Sequence, residues 1–174
     1  MEPTGNELSP RLQALPYDEK RKIPVPKFNV MPDGSVNYML INPEVVYNSG
    51  KSGLCGICSE PLDYWIAFIG GPISLANRSY LDPPMHKECA LAAVKYCPHI
   101  NRKVHRRAPD EKFDMENTWI SNQSNENKPD EWIIVLTRSY KMVPHQGFFM
   151  FKAAKIADTI RFSYDDTGRI QQEP

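Results

Sequence analysis

Four residues in the middle of the chain combine types and spacings that suit a metal ion. Cys55 and Cys58 flank a short glycine-containing turn, and His86 and Cys89 are three positions apart further along. A thiolate pair in a tight turn presents both sulfurs to one ion, and a His/Cys pair with this spacing adds two ligands from the first turn of a helix. Three thiolates and one imidazole complete a structural zinc site and leave no position for a catalytic water. We therefore predict a Zn²⁺ site with these four ligands.

The residues between and after the two ligand pairs predict the elements that hold them. Residues 64–69 form an apolar and aromatic run closed by Gly-Gly-Pro, which is typical of a buried strand. Residues 86–96 are rich in good helix formers and follow Pro83-Pro84, so a helix should begin at the second ligand pair. The free backbone amides of a helix start also favour a thiolate. A cysteine knuckle, a β-hairpin and a helix in this order are typical of a treble-clef zinc finger.

Turn and strand signals elsewhere predict a small antiparallel sheet beside this finger. Asp33-Gly34 lies between two apolar stretches and indicates a β-hairpin, whereas residues 48–53 are predicted to be a loop that leads to the first cysteine pair. Further strands are predicted at 131–137, 147–151, 160–164 and 169–170. The predicted fold class is therefore α+β, a treble-clef-like zinc finger combined with a small antiparallel sheet.

The prolines and polar stretches predict how the chain is divided. The first 27 residues contain five prolines and should be extended, because proline fixes φ and disfavours helix at the residue before it. Apolar residues such as Leu12 and Val25 can pin this segment to the body. The predicted regions are a proline-rich extended arm (1–27), a zinc-binding domain (28–107), a polar surface loop (108–130) and C-terminal antiparallel strands packed on the zinc domain (131–174).

The composition says more about the cellular location of the protein than about its biochemical function. Lysine plus arginine equals aspartate plus glutamate at 21 each, so no global field directs the chain to nucleic acid or to an anionic membrane. No apolar run approaches the length of a membrane span, and the first residues lack the features of a signal peptide. We therefore predict a cytoplasmic protein that does not bind membranes. Disulfides are rare in a reducing cytoplasm, so we interpret the cysteines as metal ligands in preference to disulfide partners.

Two enzyme signatures are incomplete. His86-Lys87-Glu88 matches half of a zinc deaminase motif, but the Cys-x-x-Cys pair precedes it instead of following it and has no proline in front. His99, Asn101 and His105 are similar to the His-Asn-His set of treble-clef nucleases, although their spacing is too tight to place the histidines on a strand and on the following helix. Cys97 and His99 alone are too few for a second metal site. A non-enzymatic protein is favoured, and a nuclease stays open.

A basic cluster follows the predicted zinc helix. It consists of Arg102, Lys103, Arg106 and Arg107. These cations could hold nucleic-acid phosphates if they share one face. Acidic residues at 110–116 follow at once and could pair with them, which makes a solvated surface the preferred interpretation.

Short segments around the ligands carry a further resemblance. The segments are 23–28 (Ile-Pro-Val-Pro-Lys-Phe), 54–62 (Leu-Cys-Gly-Ile-Cys-Ser-Glu-Pro-Leu), 67–72 (Ala-Phe-Ile-Gly-Gly-Pro), 77–78 (Asn-Arg), 82–90 (Asp-Pro-Pro-Met-His-Lys-Glu-Cys-Ala) and 97–99 (Cys-Pro-His). Together they resemble an uncharacterised family of small proteins from bacteriophages and actinobacteria. The resemblance covers residues 10–105 and implies a phage or bacterial cytoplasmic setting and a structural metal, without a reaction. His99 stands where that family often has Phe or Tyr, which weakens His99 as a ligand.

Taken together, these patterns favour a zinc-stabilised interaction module over a catalyst. The expected partner is a protein of the host or of the phage, and the proline-rich arm offers a segment that can dock on it. The alternatives are a nucleic-acid-binding protein that uses the basic cluster and an HNH-like nuclease built on the treble clef.

Overall fold

The computed structural model describes residues 8–103 and 128–174 together with the backbone of residues 119–120. The helices in these ranges are α1 (Pro10–Gln13), α2 (Pro43–Ser52), α3 (Pro72–Asn77), α4 (Lys87–Tyr96) and α5 (Pro98–Asn101), with a 3₁₀ turn at Lys27–Asn29. The strands are β1 (Tyr17–Asp18), β2 (Ile23–Pro24), β3 (Leu40–Ile41), β4 (Ile66–Gly70), β5 (Ser79–Tyr80), β6 (Met85–His86), β7 (Trp119–Ile120), β8 (Glu131–Thr137), β9 (Tyr140–His145), β10 (Phe148–Ala153), β11 (Ile156–Tyr164) and β12 (Ile170–Gln172).

A five-stranded antiparallel sheet in the order β12-β11-β8-β4-β6 forms the centre of the fold. Its inner strands β4 and β8, which neighbour each other, pair in a continuous register from Ile66↔Thr137 to Gly70↔Ile133. Strand β4 is buried along its whole length, and β8 is buried at every residue after Glu131. Because both faces of these strands are covered, their sequences are continuous apolar runs and do not alternate.

A second sheet, in the order β5-β10-β9, packs on the first through aromatic side chains. Phe68 of β4 stacks on Tyr80 of β5 with ring centroids 5.0 Å apart. The ring centroids of Tyr140 and Phe151 lie 5.8 and 6.1 Å from that of Phe68. The Tyr140 hydroxyl donates to the Gly50 carbonyl at 2.7 Å, which joins α2 to the same layer. Large aromatic side chains that bury their rings in this way supply much of the apolar burial in a core.

Helix α4 lies against the central sheet and carries one metal-ligand candidate in its first turn. It contacts β4, β6 and β8. Cys89, Ala90 and Val94 form its buried face, and Leu91 lies partly buried beside them. The position of this first turn is therefore fixed by apolar packing on the sheet.

The predicted combination of helices with antiparallel sheets is confirmed. The strand predicted at 64–69 is β4, and the helix predicted at 86–96 is α4. The predicted C-terminal strands are β8, β10, β11 and β12, and a turn at residues 165–168 joins the last two. Strand β9 was missed, because its Pro144 argues against a strand, and its edge position is where a strand tolerates proline.

The predicted hairpin around Asp33-Gly34 is wrong except at its turn. Gly34 has φ +85 there, but the flanking stretches meet only at the single bridge Val30↔Val36. Two asparagine side chains bind backbone carbonyl groups in this region, in place of the strand-to-strand hydrogen bonds of a hairpin. The Asn29 amide donates to the Leu40 carbonyl at 2.9 Å, and the Asn42 amide donates to the Val30 carbonyl at 2.7 Å.

The predicted loop at 48–53 is also wrong, since residues up to Ser52 belong to α2. This helix is capped by Asn42, whose side chain accepts from the Glu44 amide at 3.0 Å, and it ends at Gly53 with φ +66. Asparagine before Pro43 and glycine after the last turn are a start and a stop signal. The serine, glycine and lysine residues near its end concealed the helix.

The arm predicted to have little regular structure contains α1 and the ribbon β1-β2 in its described part. Leu12 and Val25 are buried at 5% and 2% exposure, so the arm packs on the body through the residues expected to pin it. The regions 28–107 and 131–174 contribute strands to one central sheet. Most of the predicted polar loop at 108–130 lies outside the described residues, but β7 within it pairs with β3.

Candidate metal centre

The first two ligand candidates lie in a tight loop that directly follows helix α2. The loop is closed by the bridge Leu54↔Pro61 and by two backbone bonds, from the Cys55 amide to the Glu60 carbonyl and from the Ser59 amide to the Cys55 carbonyl, both at 2.8 Å. Ser59 has φ +63, which lets the chain turn back on itself after the second cysteine. These bonds fold the loop so that both sulfurs face inward.

The second pair lies at the junction of β6 and α4. His86 pairs with Ile66 at the sheet edge and is the last residue before the helix, while Cys89 belongs to the first turn. The Gly56 amide donates to the Pro84 carbonyl at 2.9 Å, which holds the cysteine loop against this junction. Gly56 also lies directly against the ring of Pro83, where a Cβ would overlap the proline. The prolines before the helix therefore fix the distance between the two ligand pairs.

The four candidate ligand atoms lie within 4.8 Å of one another. The Cys58 and Cys89 sulfurs are 3.3 and 3.7 Å from His86 Nδ1, and no disulfide is formed. Zinc–sulfur bonds of about 2.3 Å in a tetrahedron would separate neighbouring sulfurs by about 3.8 Å. His86, Cys55 and Cys89 are fully buried and Cys58 is 8% exposed. The four residues therefore fit a closed metal site.

The orientation of His86 is set by a bond on the far side of its ring. Nε2–H donates to the Pro61 carbonyl at 2.8 Å, so Nδ1 carries the lone pair and faces the sulfurs. The tautomer follows from this hydrogen bond. A carbonyl partner of this kind is what metal-ligating histidines commonly have.

Mutual hydrogen bonding sets the ionisation of the thiols. Burial alone would raise the pKa of Cys55, but hydrogen bonds with Cys58 and Cys89 outweigh burial and lower that pKa. The pKa of Cys89 is raised, first by its hydrogen bonds with Cys55 and Cys58 and then by burial. One thiolate thus opposes the formation of the next in this buried cluster. A cation in the middle is what allows several thiolates to coexist.

Arg11 connects the arm to both halves of the site. Its guanidinium contacts Glu60 at 2.8 Å, Asp63 at 2.7 Å and Glu88 at 2.9 Å, and it makes a second bond to Asp63 at 3.1 Å. The hydrogen bond from Arg11 holds the pKa of Asp63 below its usual range. Asp63 Oδ2 also lies 4.0 Å from His86 Nε2. The sequence analysis missed this network, because nothing local marks Arg11 as the partner of acids far along the chain.

The other predicted site residues lie away from the cluster or outside the described ranges. Arg102 and Lys103 follow α5, and Lys103 pairs with Asp130 at 3.5 Å. Of the nuclease candidates, the His99 ring lies 6.1 Å from the Trp132 ring and the Asn101 amide donates to the Lys95 carbonyl at 2.9 Å. The predicted residues His105, Arg106 and Arg107 are outside the described ranges.

Comparisons with family models, with curated proteins and with solved structures gave no match to this chain. Within the described ranges, no helix combines the length and apolar character needed to cross a bilayer. The cluster of Cys55, Cys58, His86 and Cys89 is the feature of the described residues that bears most directly on function.

Proposed function

We propose that Cys55, Cys58, His86 and Cys89 bind Zn²⁺ in a structural, treble-clef-like site, and that the protein acts as an interaction module for a protein partner. The burial of all four ligands carries this proposal. A tetrahedral Cys₃His site is saturated by protein ligands, so neither water nor substrate has a place on the metal. The ion supplies folding energy, and the surface around it supplies the activity.

The order of elements supports the treble-clef assignment. The cysteine loop comes first, the antiparallel pair β4-β6 follows, and α4 then contributes Cys89 from its first turn. Helix α3 and strand β5 lie between the two strands of that pair. The hairpin of a simple treble clef is thus expanded here, and β4 is drawn into a larger sheet.

The nuclease alternative has weaker support. His99 packs against Trp132, Asn101 bonds to the Lys95 backbone, and neither residue belongs to the cluster of candidate ligands. We propose that the protein is an interaction module in a phage-infected or bacterial cytoplasm. The resemblance of residues 10–105 to small phage and actinobacterial proteins supports this setting. Direct nucleic-acid binding through Arg102 and Lys103 is the second candidate, because both side chains are exposed.

Metal analysis tests the zinc part of the proposal. Purified wild-type protein should contain close to stoichiometric zinc by plasma mass spectrometry. Cys58→Ser should lose most of it, because structural zinc binding requires all four ligands. Cys97→Ser is the matched control, since Cys97 lies outside the cluster, and it should keep its zinc. A wild-type protein free of zinc after purification without chelators contradicts the proposal.

Affinity capture tests the interaction part. Zinc-loaded wild-type protein should retain a specific polypeptide from the lysate of its natural host, and the purified polypeptide should bind again directly. A zinc-depleted sample should lose the interaction, because the surface is held by the metal. Cleavage of DNA or RNA that disappears in His99→Ala would instead establish the nuclease alternative.

A further inference from the structure

A groove lies between α4 and the edge strand β12, away from the metal ligands. Its volume is about 330 Å³, within the range of specific ligand sites. Val94 and Phe162 are buried at its floor, and Leu91 and Ile170 lie partly buried beside them. The floor is therefore apolar and belongs to the same core as the central sheet.

The rim of this groove is cationic. Lys95, Arg102 and Arg169 line it, are exposed, and form no ion pair with any residue in the described part of the chain. The neighbouring Asp165 is engaged in its own turn, where Oδ1 accepts from the Arg169 amide at 3.1 Å and from Thr167. Three positive charges around an apolar floor favour a ligand with an anionic end and an apolar body.

One buried polar atom in the groove lining lacks a partner. Asn101 donates through Nδ2 to the Lys95 carbonyl at 2.9 Å, which fixes the orientation of its amide. Its Oδ1 has almost no accessible surface and no hydrogen bond from the described residues. This atom is enclosed by the protein, so the groove presents its cationic rim and apolar floor to a ligand, and not this acceptor.

The groove also runs along an unpaired strand edge. Strand β12 pairs with β11 on one side. On the other side, just before β12 begins, the backbones of Arg102 and Arg169 form an isolated β-bridge, and the Lys103 backbone amide donates to the Gly168 carbonyl at 2.8 Å. From Ile170 onward no described strand continues that pairing. Such an edge can take an extended peptide as an added strand, whose end would meet the two arginines.

We propose that this groove binds the carboxyl terminus of a partner polypeptide that ends in an apolar residue. Arg102, Arg169 and Lys95 bind the terminal carboxylate. The last side chain lies on the apolar floor, and the peptide backbone extends along β12. This inference rests on the proposed interaction function, names the chemistry of its partner, and does not depend on which metal is bound.

Fluorescence anisotropy with labelled hexapeptides tests it on the full zinc-loaded protein. The probes end in Leu, Val or Phe with a free carboxylate, and matched probes carry a terminal amide. At least one free acid should bind, and its amide should bind about tenfold more weakly or worse, as expected for lost charge-assisted hydrogen bonds. Arg102→Gln and Arg169→Gln should each weaken the acid by a similar factor. Arg138→Gln is the control, because Arg138 lies over the Tyr64 ring and outside the groove lining.

Three outcomes of the peptide measurements overturn the inference. They are no binding of any free acid, equal binding of acids and amides, and unchanged binding in both arginine variants. Binding of a single-stranded oligonucleotide that is lost in those variants, without peptide binding, assigns the groove to nucleic acid and also overturns it. Zinc content is measured on every sample. If the zinc-loaded wild type binds no peptide, this inference is wrong and the metal proposal stands. If a zinc-free wild type binds peptide, the metal proposal is wrong and this inference stands.

Discussion

Gly56 shows how closely a single residue controls the geometry of the candidate metal centre. It lies between the two cysteines, donates to the Pro84 carbonyl, and has no room for a side chain beside Pro83. A larger residue must push the cysteine loop away from the start of α4. The separation of the two ligand pairs would then exceed what one ion can bridge.

We therefore expect Gly56→Ala to weaken metal retention and to lower the free energy of unfolding by about 1–3 kcal/mol, as overpacking does. Competition with a chromogenic chelator measures the first effect and urea denaturation the second. Gly34→Ala is the control, because Gly34 has open space around it but φ +85. It should lose about 1 kcal/mol through backbone strain and keep its metal affinity. Equal metal loss in both variants would contradict the role of Gly56.

Arg11 is the residue through which the arm acts on the site. It bridges acids from the cysteine loop and from α4, but these acids are 41–56% exposed, so solvent screens the contacts. Arg11→Gln should lower the free energy of unfolding by about 0.5–1 kcal/mol, with a smaller effect at high salt. Urea denaturation at two salt concentrations measures this. Lys22→Gln, which removes one exposed pair with Glu19, should have almost no effect. An effect of Arg11→Gln as small as that of Lys22→Gln would show that the network adds nothing.

At the scale of elements, Tyr164 joins three segments that are distant in sequence. At the end of β11, its hydroxyl accepts from Trp132 Nε1 of β8 at 2.8 Å and donates to the Ile100 carbonyl of α5 at 2.8 Å. Burial raises the pKa of Tyr164 to about 12, above the ordinary value of 10.0, and the Trp132 bond opposes that shift only in part. The neutral hydroxyl is thus the form that the fold requires.

The sign of the pH dependence follows from this raised pKa. Below pH 10 both states hold the proton and the stabilisation is complete, and it is lost as the pH rises from 10 towards 12, where only the unfolded state ionises readily. Tyr164→Phe should lose about 1 kcal/mol at neutral pH. Its stability should also fall less than that of the wild type between pH 10 and 12. Urea denaturation across this range measures both effects, and identical slopes would exclude the assignment to Tyr164.

At the scale of the molecule, the candidate metal region and the C-terminal strands share one central sheet. Strand β4 leads from the cysteine loop and is flanked by β8 on one side and by β6 on the other. Ile133, Ile134 and Val135 of β8 are at most 1% exposed. Without β8, the strand that positions the ligand region would have an open apolar edge.

A fragment of residues 1–127 should therefore not fold, even with zinc, whereas a fragment of residues 1–172 should. Amide dispersion in a heteronuclear NMR spectrum measures this directly. The longer fragment is the control, because it retains every strand of the central sheet. A well-dispersed spectrum from the shorter fragment would show that region 28–107 folds without the C-terminal strands.

Much of the fold could be predicted where the signal is local. The apolar runs of β4 and β8 are fully buried strands, and helix α4 follows from its helix formers and the prolines before it. The absence of a hairpin at Asp33-Gly34 could not be predicted from the local sequence. Asparagine side chains that bind backbone carbonyls in place of a partner strand leave no periodic pattern in the sequence. Helix α2 was hidden by serine and glycine near its end, although Asn42 and Gly53 mark its limits.

For the candidate site, the sequence by itself determined the ligand types and their spacing, since two residues between Cys55 and Cys58 and two between His86 and Cys89 already suit one tetrahedral ion. Only the tertiary structure decided that the ligand atoms meet and are buried, and that Pro61 orients the histidine. It also decided that Arg11 bridges the two halves and that a cationic groove forms beside β12. Spacing is encoded locally, but burial and charge pairing depend on chain segments that come together only when the central sheet assembles.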